Sequence, residues 1–185
     1  MTRKFAKTIT CLTLGLTAAS LAMTASAQLV EAGKPSVGFF ATGPGGLQIE
    51  GETHLLSVRD AGEKVEVEVP LLGLETGISL RDRHLREHLH ADRHPRARLV
   101  VQRSSLDFPA DGKTTRGKAT GDFWLNGQKG PLSFQYQARR KGDQYQVQAL
   151  ATIDIRDYGL EVPCYLKVCV QPEVRLKVKF AARDR

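Results

Sequence analysis

Apolar and polar residues alternate along most of the chain after about residue 37, most clearly towards the C-terminus. Residues 145–155 place Tyr145, Val147, Ala149, Ala151, Ile153 and Ile155 in alternation with Gln146, Gln148, Thr152 and Asp154. Residues 174–180 repeat the pattern with Val174, Leu176, Val178 and Phe180, and Val65, Val67 and Val69 alternate with glutamates. A period of two residues indicates strands with one apolar and one solvated face.

Two short segments rich in turn-forming residues predict hairpins. Asn126-Gly127 separates two alternating segments, and this dipeptide is a strong signal for a two-residue hairpin turn. The glycine-rich stretch 42–46 separates two further apolar segments. It lacks the lysine and Ser/Thr of a phosphate-binding loop and no helical pattern follows, so we interpret it as a turn.

One helix is predicted, from about Leu80 to Leu89, in the region 80–90 before His94-Pro95, where proline opposes further helix. About eight hairpin-connected strands with one short helix predict an all-β, antiparallel fold, either a sandwich or a closed barrel. Closure is favoured because it removes exposed strand edges. An eight-stranded barrel can also enclose one small ligand.

The N-terminal segment has the three parts of a secretory signal peptide. A basic start is followed by a short apolar run and by Ala25-Ser26-Ala27, which predicts cleavage after residue 27. The apolar run is shorter than the roughly 20 residues that a transmembrane helix needs. We therefore expect an exported protein, periplasmic or extracellular, with residues 28–185 forming a single domain.

Charge argues against nucleic acid as a partner. The presequence holds three of the 27 basic residues and none of the 20 acidic ones, so the net charge of the mature chain would be +4 in place of +7. The basic residues are spread along the sequence with few aromatic residues among them, which is not the pattern of a nucleic-acid-binding surface.

Two cysteines, Cys164 and Cys169, remain after cleavage. An oxidising compartment allows a disulfide between them if the intervening residues turn back, whereas an extended strand would hold the cysteines too far apart. The alternative is a pair of small buried thiols. A metal site is disfavoured because no second cysteine pair accompanies them.

Histidines are the strongest enzyme-like feature. His84, His88, His90 and His94 lie close together, and a helix would place His84 and His88 on one face, as zinc ligands require. The segment is rich in charged residues, however, and has no H-E-x-x-H spacing. No G-x-S-x-G motif occurs, and paired carboxylates such as Glu66 and Glu68 fit an outward face. We therefore expect no catalytic residues and no cofactor.

Three segments together resemble the YceI-like family of bacterial, usually exported, lipid-binding proteins. The first runs from Leu74 to Leu85 with the letters LETGISLRDRHL, and its continuation runs from His94 to Val101. The second, residues 117–132, is similar to the family's glycine-containing hairpin. The third joins residues 153–160 to the closing strand 174–180. The resemblance covers essentially the whole mature chain.

The resemblance implies an extended, lipocalin-like antiparallel barrel whose cavity holds a long isoprenoid chain, such as an isoprenoid quinone or a polyprenyl lipid. The positions that match the family's motifs are Thr76, Arg81, Asp82, His84, Leu85, Pro95, Gly121, Leu125, Gly127 and Gly159. We expect most of them to be architectural, with Arg81 and Asp82 forming a charge pair at the start of the helix.

The apolar faces of the predicted strands are expected to line the cavity. The residues chosen on this basis are Phe39, Val67, Val69, Val101, Phe123, Leu125, Phe134, Tyr136, Val147, Ile153, Ile155, Leu176 and Val178. Removing hydrocarbon from water against such a surface contributes about 25 cal/mol for each Å². The alternative for each residue is ordinary core packing.

Departures from the family pattern bear on the ligand. The first hairpin is compressed around residues 43–46, and Ile155 stands where many members carry an arginine. If that arginine holds a polar head group, head-group recognition differs in this chain. Cys164 and Cys169 are not a general feature of the family either.

Three hypotheses follow. The first is a binding protein that carries or stores an isoprenoid-type lipid. The second is a structural protein with a filled barrel, whose Arg/His-rich segment 81–98 meets an acidic partner. The third is a metal-dependent enzyme that uses the His84 to His94 cluster. Contact with a membrane surface or a membrane protein, and a homodimer, are further expectations.

Overall fold

The computed structural model of the protein describes residues 29–165 and 168–184, and the predicted signal peptide lies outside this part of the chain. Eleven strands and one α-helix are described. Their bounds are β1 Leu29–Thr42, β2 Gln48–Thr53, β3 Ser57–Asp60, β4 Lys64–Pro70, α1 Ser79–His88, β5 Arg96–Gln102, β6 Thr114–Leu125, β7 Gln128–Lys141, β8 Gln144–Asp154, β9 Cys164–Tyr165, β10 Val168–Cys169 and β11 Glu173–Asp184.

Eight of the strands close into an antiparallel barrel, which confirms the predicted fold class. The order is β11-β8-β7-β6-β5-β4-β3-β1, and β1 pairs with β11 from Leu29↔Asp184 to Ala41↔Val174. β2 pairs with the C-terminal half of β1, and one bridge joins β3 to its N-terminal half. Closure through β1 and β11 distinguishes this fold from the sandwich that the sequence left open.

A register shift between Ala32 and Ser36 interrupts the pairing of β1 with β11 and places Pro35 in the irregular segment. Proline has no backbone N–H to donate, so a bulge accommodates it within a long strand. Gly121 allows a close approach on the other side of the barrel, since a Cβ there would lie 2.6 Å from the Val100 carbonyl oxygen. This glycine is architectural, as expected.

Helix α1 covers one end of the barrel. It begins at Ser79 and ends at His88, one residue earlier at each end than the predicted helix. Pro95 does not end it directly, because residues 89–94 form turns before β5 begins. Leu85 and Leu89 pack against the largest apolar cluster, which contains Leu71, Leu74, Phe123, Leu125, Ile153 and Ile155.

The Asn126-Gly127 hairpin is present between β6 and β7, with positive φ at both turn residues. The strand predicted to reach Ile155 ends at Asp154 instead, because residues 155–158 turn into a 3-10 helix that the Asp154 side chain caps at the backbone N–H of Arg156. Within residues 29–165 and 168–184, no helix combines the length and apolar composition needed to cross a bilayer.

Candidate functional site

The barrel encloses a cavity of about 670 Å³. Its wall is built from the inward side chains of the barrel strands, and the alternation seen in the sequence places an apolar residue at almost every inward position. Many of these side chains are only partly buried because they border the cavity rather than each other, as with Val67, Val147 and Val178. This volume lies within the usual range for small-molecule sites, about 300–1,000 Å³.

All thirteen residues chosen from the sequence lie on the wall of this cavity. They are Phe39, Val67, Val69, Val101, Phe123, Leu125, Phe134, Tyr136, Val147, Ile153, Ile155, Leu176 and Val178. Ile155 retains its inward position although it begins a 3-10 helix, because its side chain continues the β8 face. That these residues contact a lipid stays a prediction.

Sequence reasoning missed part of the wall. Val65, Leu99, Val174 and Phe180 also line the cavity, and each lies two residues from a chosen position, so the same alternation could have identified them. Leu85 on α1 and Leu89, the residue directly after it, are one helical turn apart. Leu160, Pro163 and Val170 belong to irregular segments, for which periodicity gives no signal.

The polar part of the wall lies mainly on α1, where Arg81, His84, Glu87 and His88 border the cavity. Thr76 fixes the start of this helix. Its backbone N–H donates to Asp82 Oδ1 at 2.6 Å and its hydroxyl donates to the same oxygen. Arg81 donates from Nε to the Thr76 hydroxyl at 2.9 Å and from Nη2 to its carbonyl at 3.0 Å.

The expected charge pair between Arg81 and Asp82 does not form as predicted. Instead, both side chains form hydrogen bonds with Thr76, which lies in the segment before α1. The hydrogen bonds from the Thr76 hydroxyl and then from its backbone N–H lower the pKa of Asp82 below its ordinary value. Thr76, Arg81 and Asp82 therefore act together as the anchor of α1.

Nε2 of His88 is a buried side-chain atom that has no hydrogen-bond partner among the described residues. Burial, then the neighbouring His90, lowers the pKa of His88, while Glu161 opposes this shift. Burial therefore favours the neutral form of the imidazole. A neutral ring at the edge of an apolar cavity is compatible with a hydrocarbon ligand.

The other histidines of the cluster are used elsewhere. His90 has a positive φ and its Nδ1 lies 2.9 Å from Asn126 Oδ1, while the His94 ring packs beside Gly127. Across residues 29–165 and 168–184, no three His, Cys, Asp or Glu side chains come together as a metal site would require. His90 and His94 thus join the segment after α1 to the β6–β7 hairpin, while His84 and His88 border the cavity.

The opposite end of the barrel is closed by polar contacts. Asp60 is buried and pairs with Arg103, and its carboxylate accepts from Gly62 N at 2.8 Å. Arg103 lies over the ring of Phe108, 4.3 Å from its centroid. The hydroxyl of Tyr136 accepts from the backbone N–H of Asp107 at 2.7 Å. These contacts hold the segment after β5 across this end.

Cys164 and Cys169 form a disulfide across the short β9–β10 hairpin. Their Cα atoms are 4.0 Å apart, because β9 and β10 pair antiparallel with Cys164 opposite Cys169, and both residues are exposed rather than buried as the alternative required. On either side of the hairpin, Pro163 and Val170 contact each other through the backbone and border the cavity. The disulfide therefore constrains a segment at the α1 end.

Fold and cavity together define a lipocalin-like β-barrel that encloses an apolar binding space. A family model described as the YceI-like domain matches residues 24–182, and the chain belongs to the YceI-like family. The resemblance stated from the sequence motifs is thereby confirmed. No curated protein matches the sequence significantly.

Solved structures share the fold at low sequence identity. A polyisoprenoid binding domain from Saccharophagus degradans, implicated in plant cell wall breakdown, is 16% identical with a TM-score of 0.72, over 86% of this chain and 99% of that one. BcnA of Burkholderia cenocepacia is 14% identical with a TM-score of 0.64, over 80% and 95% of the two chains. The YCEI protein of Campylobacter jejuni is 14% identical with a TM-score of 0.57, over 74% and 85%.

Proposed function

We propose that this protein binds a water-insoluble, isoprenoid-type lipid inside the barrel and acts as a carrier or reservoir rather than as an enzyme. The observation that carries the proposal is the cavity of about 670 Å³, whose wall is apolar along almost its whole length. Such a wall stabilises a hydrocarbon chain by burying it from water, and it offers few hydrogen-bond partners to polar groups of a ligand. Family membership and the similar polyisoprenoid binding domain support the same ligand class.

The polar side chains at the α1 end of the cavity match the polar head of such a lipid. An isoprenoid quinone or a polyprenyl lipid combines a long apolar chain with one polar head, and the cavity has ionisable side chains mainly at α1. The chain would lie along the strands, with the head near Arg81 and His84. Ile155 lies where many family members carry arginine, so head-group contacts would come from α1 instead.

The proposal can be tested by substituting larger side chains for small residues that line the cavity. Ala149 and Ala151 on β8 border it and are partly exposed to it, so leucine at both positions would occupy space that the ligand needs. We expect the Ala149→Leu/Ala151→Leu variant to bind an isoprenoid quinone at least tenfold more weakly, as measured by quenching of tyrosine and tryptophan fluorescence. Its thermal stability should be equal or higher, because filled cavities gain contacts.

Gln148→Leu/Thr152→Leu is the matched control, since it adds leucines to the outward face of the same strand. It should bind as the unmodified protein does. If the Ala149→Leu/Ala151→Leu variant bound the quinone as tightly as the control variant does, the quinone would lie outside the barrel. If the unmodified protein bound no quinone, the alternative of an interaction protein with a filled barrel would be favoured.

We also propose that the protein is exported to the periplasm after cleavage behind residue 27, on the strength of the signal-peptide pattern. An exposed disulfide agrees with an oxidising compartment. Cell fractionation and N-terminal sequencing test this: a mature protein that begins at Gln28 in the periplasm is expected, and an uncleaved cytoplasmic chain would contradict it.

A further inference from the structure

One outer surface of the barrel is strongly basic. Residues 114–120, 133–139, 146–152 and 175–181, on β6, β7, β8 and β11, contain no Asp or Glu. Their outward positions carry six exposed cations, which we call the basic face: Arg116, Lys118, Arg139, Arg175, Lys177 and Lys179. Such a concentration of one charge sign is a feature of the folded molecule, because the four strands are separate in sequence.

Strand register fixes how these cations are arranged. One row across the sheet runs Lys118, Gln135, Leu150, Lys177, and the next runs Arg116, Gln137, Gln148, Lys179. Strands lie about 4.8 Å apart and alternate residues about 7 Å apart, so the cations of β6 and β11 stand about 14 Å from each other across a polar surface. The face is therefore a broad array, and it includes an open depression lined by Lys118, Arg175 and Lys177.

The cations of the basic face have no acidic partners. None of the six lies within 4.0 Å of a carboxylate among the described residues, whereas Arg59 and Arg98 elsewhere both pair with Glu66. Arg116 donates to Gln137 Oε1 at 2.8 Å, and Arg175 lies 5.8 Å from the ring centroid of Phe40. The six side chains are thus exposed to solvent and free of ion pairs, with Glu50 at the edge of the depression that Lys118, Arg175 and Lys177 line.

The opposite surface differs. The outward positions of β4 there carry Glu66 and Glu68, whereas Glu50 and Glu52 of β2 border the basic face, because β2 pairs with β1 and β1 pairs with β11. The molecule consequently has a basic side that faces away from Glu66 and Glu68. A charge distribution of this kind orients a protein in the field of a charged surface.

We propose that the basic face docks the protein on the surface of an anionic phospholipid bilayer. A broad array of cations, with glutamine, serine and threonine side chains between them, can contact several phosphate groups of a membrane surface at once. Leu150 lies near the centre of the basic face and is 56% exposed, so its side chain can enter the headgroup region of the bilayer. Each Lys or Arg close to an anionic membrane increases affinity about fivefold. Docking does not depend on which molecule fills the cavity.

Vesicle sedimentation tests the proposal. The mature protein is mixed with vesicles of phosphatidylcholine alone or of phosphatidylcholine with about one third phosphatidylglycerol. We expect it to sediment with the anionic vesicles only, and to be released by high salt because screening weakens the attraction. The variant Lys118→Gln/Lys177→Gln/Lys179→Gln should bind roughly a hundredfold more weakly.

The matched control is Arg83→Gln/Arg93→Gln/Arg96→Gln, which removes three exposed arginines from α1 and the segment after it. It should retain vesicle binding within about threefold of the unmodified protein, and quinone binding measured without vesicles should be unchanged in the lysine variant. The proposal would be overturned if the lysine variant and the arginine control lost the same amount of vesicle binding, or if the unmodified protein sedimented equally with neutral and anionic vesicles. Binding to polyglutamate but not to vesicles would also overturn it and would indicate an acidic protein partner.

Discussion

At the residue scale, Gly127 shows how one position can serve both a turn and a tertiary contact. It has φ of 73°, and a Cβ at this position would lie 2.7 Å from His94 Cε1. The residue before it, Asn126, also has positive φ and donates from Nδ2 to the Tyr158 carbonyl at 3.1 Å. The hairpin therefore holds the polar α1 end of the barrel as well as joining two strands.

Gly127→Ala is expected to lower the free energy of unfolding by more than the roughly 1 kcal/mol that left-handed backbone alone costs a non-glycine residue. The excess comes from the contact with His94. Urea denaturation followed by circular dichroism measures the loss.

Gly142→Ala provides the control, because Gly142 has φ of 62° and a Cβ added there would meet no side chain or backbone atom of another segment within 4 Å. It should lose only the backbone cost. Equal losses at the two glycines would contradict a role for the His94 contact.

At the element scale, helix α1 depends on a contact that its own sequence does not reveal. The helix could be predicted within one residue at each end, because a helix must stop before Pro95, although turns over residues 89–94 are what separate it from that proline. Its anchor could not, since Arg81 and Asp82 both bond to Thr76, and the position of Thr76 depends on the chain around the barrel.

Acid should weaken this anchor. The pKa of Asp82 is lowered in the folded protein by its hydrogen bonds from Thr76, so its stabilising effect is complete above the unfolded pKa and is lost as the pH falls through the folded value. Asp82→Asn should therefore unfold at a lower urea concentration at pH 7, and the difference should narrow below about pH 4. A difference independent of pH would show that the carboxylate charge is not involved.

The short strands β9 and β10 are held together by the disulfide between Cys164 and Cys169. Closing so short a loop in the unfolded chain contributes about 2 kcal/mol by the chain-entropy estimate. Cys164→Ser/Cys169→Ser should lose about this much stability, and dithiothreitol should reduce the unmodified protein to the same level while leaving the variant unchanged. No effect of dithiothreitol on the unmodified protein would contradict the bridge.

At the scale of the whole molecule, alternation was enough to predict most of the barrel strands and thirteen residues of the cavity wall, because a strand with one apolar face turns that face inward; the short strand β3 was not predicted. It could not distinguish a hollow interior from a filled one, since both require the same apolar positions. The difference depends on side-chain volume summed around the barrel, to which small residues such as Ala149 and Ala151 contribute. The residues of α1 and of segment 160–170 that complete the wall are placed by tertiary contacts.

The most direct test of the account is native mass spectrometry of the protein purified from its native host, followed by organic extraction of whatever it releases. A hydrocarbon-rich molecule of isoprenoid type, close to one per chain, is the predicted result. Protein that is empty, and stays empty when isoprenoid quinones and polyprenyl lipids are added, would contradict the proposed function.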